Sequence, residues 1–200
     1  MLNDAEEDLK LAETYEARVY TPYEWSEAKV RIQAARSFIE KDKNHDAITA
    51  ALEAKTRASE ALRLSRISVA TVSIKKARDS QDSVEENKAF RENEDLYQRM
   101  LSDTKNAEKA FIADQIDVSI RFSKSAIAHA GILMEPVKKE AEIIRGRVTS
   151  AWREPGNRTK QSRELEALIR EGEDAFLARQ YMKAVSIWEK ADKELRSPKE

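Results

Sequence analysis

Apolar and small residues recur every three or four positions along nearly the whole chain, the spacing that gathers side chains on one face of an α-helix. Residues 4–20 predict a first helix whose apolar stripe is Leu9, Ala12, Tyr15 or Glu16, and Val19. Asp4, Glu6, Glu7 and Asp8 suit the positive end of its dipole. Thr21-Pro22-Tyr23-Glu24 predicts a sharp second start. Thr21 serves as N-cap, Pro22 takes the first helical position and Glu24 closes a capping box. That helix runs to about Lys41 and turns Trp25, Ala28, Ile32, Ala35 and Phe38 or Ile39 inward. Lys43 to Asp46 reads as a turn in which Asn44 or Asp46 caps the next helix.

From Asp46 to about Asn87 there is neither Gly nor Pro. Ala47, Ala50, Ala51, Ala54, Ala58 and Ala61 form an alanine stripe that lets another helix approach closely, and Ile67, Ala70, Ile74 and Ala77 continue it. A helix of that length spans roughly 63 Å, more than a compact bundle needs. It therefore predicts a strut shared between hairpins, with the Asp and Ser cluster at 79–83 as its weak point. A further helix is expected over about 92–113, with Leu96, Met100 or Leu101, Thr104, Ala107 and Phe111 inward. After a turn at Asp114-Gln115, a long helix runs from Asp117 to Trp152, and Pro136 inside it predicts a kink. Glu154-Pro155-Gly156-Asn157 is the strongest loop signal. Helices over about 160–179 and 181–196 complete the chain, before a charged tail, Ser197 to Glu200, expected to fray.

One pattern occurs three times. In 107–126 and 172–191 a Phe (Phe111, Phe176) precedes a small residue by eight positions (Ser119, Ala184) and an Ala by fifteen (Ala126, Ala191). In 34–54 Phe38 precedes Ala47 by nine, which reads as one extra turn residue. Repeats of this kind predict stacked helix pairs, each too small to bury its own apolar face. The expected fold is all-α: an elongated array of three antiparallel helical hairpins with long shared helices, kinked near Pro136. Residues 1–75 form an N-terminal hairpin bundle and 76–200 a C-terminal one.

Composition narrows the function classes. The absence of cysteine removes disulfides, thiol catalysis and zinc–thiolate sites, and fits the cytosol as well as a periplasm. No apolar run reaches a membrane span. A net charge of −1 gives no general argument for nucleic acid. The only histidines, His45 and His129, lack the paired Glu-x-x-His motifs of a helical di-iron site, so they read as surface or turn residues and no metal is expected. No phosphate-cradling glycine loop or nucleophile motif is present, and no cofactor is expected.

Charge is blocked along the chain. Residues 1–16 carry six acids against Lys10, 55–78 carry seven bases against Glu60, 79–95 carry seven acids, and 138–163 carry eight bases against three acids. Such blocks pair either within the fold or between molecules, where they set register. The basic blocks lack the interleaved aromatics of a nucleic-acid surface. Trp25 and Trp188 lie on apolar stripes. Trp152 sits beside the predicted loop among Arg145, Arg147, Arg153 and Arg158, the composition of a protein-interaction hot spot, although local packing is the commoner role of a tryptophan, which is highly buried on average.

Ala12, the Tyr20-Thr21-Pro22-Tyr23-Glu24 junction, Ala28, Ala34, Asp46-Ala47 and the following alanines make 12–61 resemble the Ala-rich helical domain of unknown function in bacterial envelope lipoproteins. Gly172, Ala175-Phe176, Tyr181, Ala184 and Ala191 make the last hairpin similar to a tetratricopeptide repeat. In composition and helical content the chain also resembles the flagellar-coiling sheath proteins of leptospires. These resemblances imply a periplasmic structural or scaffold protein that assembles with other proteins, among them filament or envelope components, or with itself. The tetratricopeptide likeness implies the alternative, an adaptor whose last hairpin binds a partner peptide near Arg179 and Tyr181.

Overall fold

The computed structural model describes residues 1–154 and 163–196, and all the regular structure among them is helical. The helices are α1 (Leu2–Thr14), α2 (Ala17–Tyr20), α3 (Pro22–Glu40), α4 (Asn44–Glu86), a 3-10 turn (Ala89–Glu92), α5 (Glu94–Ile112), α6 (Ile116–Arg153), α7 (Arg163–Leu177) and α8 (Tyr181–Arg196). The predicted loop from Pro155 and the predicted tail lie outside the described residues. The protein is all-α. It divides into two compact units, Met1–Lys75 with Asn106–Ser123, and Lys76–Lys105 with Lys124–Glu200. A division of the sequence at 75/76 assigns 106–123 to the C-terminal bundle. In the structure this segment belongs to the first unit, because Ile116 and Ile120 pack with Ala70, Ile67 and Tyr15.

The three sequence repeats share one turn. At the ends of α3, α5 and α7 a single residue takes the left-handed conformation: Asp42 (φ 55°), Asp114 (φ 56°) and Arg179 (φ 61°). Each donates its N–H to the carbonyl three residues back, Ile39, Phe111 and Phe176. The following residue donates five back: Lys43 to Phe38 at 2.9 Å, Gln115 to Ala110 at 2.8 Å and Gln180 to Ala175 at 2.9 Å. This paired pattern is a Schellman cap, which satisfies carbonyls the helix end leaves open. In every case the next helix begins two residues after the left-handed one.

The shared turn corrects the reading of an extra residue in the first copy. Aligned on Asp42, Asp114 and Arg179, the copies have equal length, and Ile39, not Phe38, is the counterpart of Phe111 and Phe176. Ala47, Ser119 and Ala184 then coincide, as do Ala54, Ala126 and Ala191, all of them buried. The same register pairs Ala35 with Ala51, Ala107 with Ser123, and Gly172 with Trp188. In the third copy Trp188 lies against Gly172 so closely that a Cβ there would meet its Nε1 at 2.3 Å.

In the first unit, α1 lies against α3 and α4 through Ala5, Leu9, Ala28, Ile32, Ala54 and Ala58. Small side chains bring the helices close, which favours dispersion contacts over a bulky core. The acidic start of α1 pairs with bases on both neighbours, Asp4 with Lys55 at 2.8 Å and Glu6 with Arg36 at 2.8 Å. The Lys55 hydrogen bond and charge hold the Asp4 carboxyl below its usual range.

The first predicted helix ends earlier than its pattern suggests. Glu16 adopts a left-handed conformation (φ 57°) and divides α1 from α2. The break redirects the stripe, so Ala17 is buried and Val19 is exposed. Glu13 braces this bend by accepting hydrogen bonds from Arg18 (2.7 Å) and Trp25 Nε1 (3.2 Å), and the Arg18 bond lowers its pKa. Pro22 opens α3 as expected, but the capping box does not form. The Thr21 hydroxyl is buried and donates back to Ala17 O instead.

The α4 helix passes through 79–83 unbroken. There Ser80 donates to Lys76 O and Gln81 donates to Glu85, so the polar side chains are satisfied along the helix. Buried Ala77 and Val84 hold the same stretch in the second core. The α6 helix also continues through Pro136. The carbonyl that loses its donor belongs to Ile132, four residues earlier, and both residues lie on the exposed face of the helix. The second core gathers Met100, Leu133, Val137, Ile144, Val148, Leu165, Trp188 and Leu195. Phe176 lies 5.2 Å from Tyr181 and 5.8 Å from Trp188, between ring centroids.

Two predictions follow from this register. Gly172→Ala should destabilise the chain by roughly 1–3 kcal/mol, because buried Trp188 has nowhere to move. In a Trp188→Ala background the same change should cost much less, and a double-mutant cycle of denaturation midpoints checks it. Ser119 and Ser123 are buried with unpartnered hydroxyls, where the other copies carry Ala47, Ala51, Ala184 and Trp188. Replacing both serines with Ala should leave thermal stability unchanged or raise it, since no hydrogen bond is lost.

Candidate functional site

The arginine-rich end of α6 was the clearest candidate in the sequence, and the structure assigns its members different positions. Arg145 pairs with Glu173 of α7, its Nε and one terminal nitrogen reaching the two carboxylate oxygens at 2.8 and 2.7 Å. Its guanidinium lies 5.1 Å from the centroid of Phe176. Arg147 reaches Asp192 of α8 at 3.8 Å. Trp152 is half-buried and packs against the second core. Arg153 is exposed, and Arg158 lies outside the described residues. Two arginines thus tie α6 to both helices of the last hairpin, and Arg153 and one side of Trp152 face solvent.

These pairings follow from the helix pattern. Ile144 and Val148 turn inward, which places Arg145 and Arg147 on either flank of the buried stripe. Each then meets an acid on a different helix. Both arginines are substantially exposed, so each pair contributes a few tenths of a kcal/mol to about 1 kcal/mol. Their weight lies in orientation: the fork of Arg145 spans both oxygens of Glu173 while its planar face covers an aromatic ring.

A second feature is a groove of about 910 Å³ within the second unit. Ile127, Ala130 and Met134 of α6 line it, together with Lys76, Asp79, Asp82 and Glu86 of α4. Arg179 and Tyr181 of the α7–α8 turn complete the lining. The groove therefore presents aliphatic surface beside charges of both signs. Arg179 and Tyr181, the residues expected to line a peptide site, both belong to it.

Asn87 positions that turn, and sequence reasoning passed over it as a helix end. It is almost fully buried, and its amide joins the end of α4 to the turn. Its Nδ2 donates to Ser83 O at 2.8 Å and to Arg179 O at 3.0 Å. Its Oδ1 accepts from the Met182 N–H at 3.1 Å. One side chain thus secures a carbonyl and an amide on opposite sides of the last turn. Polarity at the end of an otherwise apolar stripe was the available signal. Nearby, Tyr97 donates to Glu85 at 2.9 Å, and burial followed by that bond raises its pKa.

Histidine placement differs from expectation at one position. His45 is exposed in the first turn of α4, whereas His129 is half-buried, its Nδ1 3.4 Å from Asp103. That nitrogen makes no hydrogen bond. Among the described residues no group of three or more His, Cys, Asp or Glu is arranged to hold a metal ion. No described helix is long and apolar enough to cross a membrane. Comparison with protein-family models, characterised proteins and solved structures found no match to this chain.

Asn87→Ala should lower stability by roughly 1–3 kcal/mol, the cost of leaving a buried carbonyl and amide unpaired. Hydrogen exchange should show the loss first at the Met182 amide, which donates to Asn87 Oδ1.

Proposed function

We propose that the protein is a non-enzymatic scaffold that mediates protein–protein assembly through helical surfaces. The observation that carries this reading is the threefold recurrence of one Schellman-capped helix pair. Repeated helix pairs present extended side-chain surfaces at fixed spacing, the geometry by which helical repeat proteins bind partners. On the resemblance of 12–61 to envelope lipoprotein domains, the setting is the bacterial periplasm. On the likeness to flagellar-coiling sheath proteins, the partners are filament or envelope components. Arg153 and the outer side of Trp152 are the solvent-facing part of the proposed contact, while Arg145 and Arg147 hold α6 to the hairpin behind it.

The groove lined by Arg179 and Tyr181 favours a second reading, a tetratricopeptide-like adaptor that holds a partner's peptide. Its mixed rim suits a segment carrying an acid or a base beside an aliphatic anchor.

Chemical cross-linking in the native cell, read by mass spectrometry, separates the two. The scaffold reading expects cross-links from 138–154 to filament or envelope proteins, reduced by Trp152→Ala in a variant that still melts cooperatively. Cross-links confined to 165–196 and to one soluble protein's terminal peptide would replace it with the adaptor reading.

A further inference from the structure

The shared turn defines a surface that two repeats bury and one leaves open. Three positions set it: three residues before the left-handed residue, two after it and six after it. In the second copy they are Phe111, Ile116 and Ile120, and α4 covers them with Ile67, Val69 and Ala70. In the third they are Phe176, Tyr181 and Val185, within the core of the second unit and with Arg145 across the Phe176 ring. In the first they are Ile39, Asn44 and Ile48. Ile39 is 53% exposed and Ile48 is 52% exposed, against 7% for Ile120 and 6% for Val185. Leu52, one turn after Ile48, is 49% exposed beside them.

The patch continues an interface already present. The α1 helix lies along α4, with Asp4 at Lys55 and Asp8 at Ser59. Leu2 packs with Ala35, Phe38, Ala50 and Ala51. Ile48 and Leu52 stand seven residues before Lys55 and Ser59, so they lie two turns back on the same faces of α4. Ile48 and Leu52 thus continue the line of α4 that Lys55 and Ser59 occupy beside α1, and both are about half exposed.

We propose that this surface docks an amphipathic helix of a partner protein, one that presents a stripe of small and β-branched aliphatic residues. The proposal rests on the scaffold reading and gives it a second site. The occupant's chemistry comes from the chain itself, since the equivalent surface of the second copy is covered by a helix bearing Ile67, Val69 and Ala70. Helix-in-groove docking uses the same anchors at spacings of three and four.

A fluorescent, helix-stapled peptide of residues 60–77, the covering segment of α4, is the probe. The full chain should bind it saturably. Ile48→Lys and Leu52→Lys should each weaken binding at least roughly tenfold, as loss of a central anchor does. Ile132→Lys, at an exposed position on α6, should leave it unchanged. Thermal melts of the variants should match the parent. Absence of saturable binding, or equal weakening by all three changes, overturns the proposal. Sedimentation velocity covers the other occupant: a dimer of the parent that Ile48→Lys dissociates would assign the surface to a second copy. The scaffold reading fails separately, when peptide binding behaves as expected but in-cell cross-links to envelope proteins are absent.

Discussion

A left-handed residue at the end of α3, α5 and α7 is the constraint on which the rest of the structure depends. Its positive φ reverses the chain within three residues, and the two cap bonds fix where the second helix leaves. Once that angle is set, the residues facing each other across the hairpin are set too. Position seven before the turn meets position nine after it, and the pair shares a limited volume. Gly172 with Trp188 fills that space from one side. Ala35 packs with Ala51 in the first copy. The turn is common to all three copies, while the packing on it varies from two small residues in the first copy to a glycine under a tryptophan in the third. None of the three left-handed residues is glycine. Asp tolerates that conformation through its short polar side chain, whereas Arg179 accepts the strain in a turn that Asn87 holds from both sides.

The two units use different physics on the same scaffold. The first is built from alanine, with little transfer energy per residue, and its helices gain through close approach and a rim of ion pairs. The second surrounds Trp188 with Phe176, Tyr181, Met100 and several leucines, and draws on bulk apolar burial. Core substitutions therefore act differently in each. A larger side chain at Ala54 or Ala58 forces helices apart in the first unit. In the second a smaller one opens a cavity.

Much of this was legible in the sequence, for a reason that also explains the failures. Long stripes report tertiary burial directly, so α4 and its alanines could be read residue by residue, and Pro22 marked a helix start by its own geometry. Single backbone dihedrals leave no such trace. Nothing in the composition around Glu16 announces a left-handed residue, and that one angle moved Val19 from core to solvent. The repeats were visible through Phe38, Phe111 and Phe176, yet the conspicuous side chain set the wrong register for the first copy. Aromatic identity is a packing choice made after the turn is fixed, so it drifts by one position while the turn does not. Asn87 was hidden because its role lies in a segment ninety-two residues away.

The same distinction governs the candidate surfaces. Arginines clustered around a tryptophan look like an exposed recognition patch when read as composition. In the fold, Arg145 and Arg147 meet Glu173 and Asp192, acids supplied by helices that a local window does not contain. An apparent excess of charge in one segment is then partly one half of an internal pairing. The first hairpin presents the reverse case. Ile39, Ile48 and Leu52 look unremarkable in sequence, because aliphatic residues on a helical stripe are expected to be core. Ile39 and Ile48 become informative only when the shared turn shows that their counterparts are packed into a core and they are not. A repeat thus supplies an internal standard for burial, and departure from that standard identifies an open surface better than the abundance of any residue type.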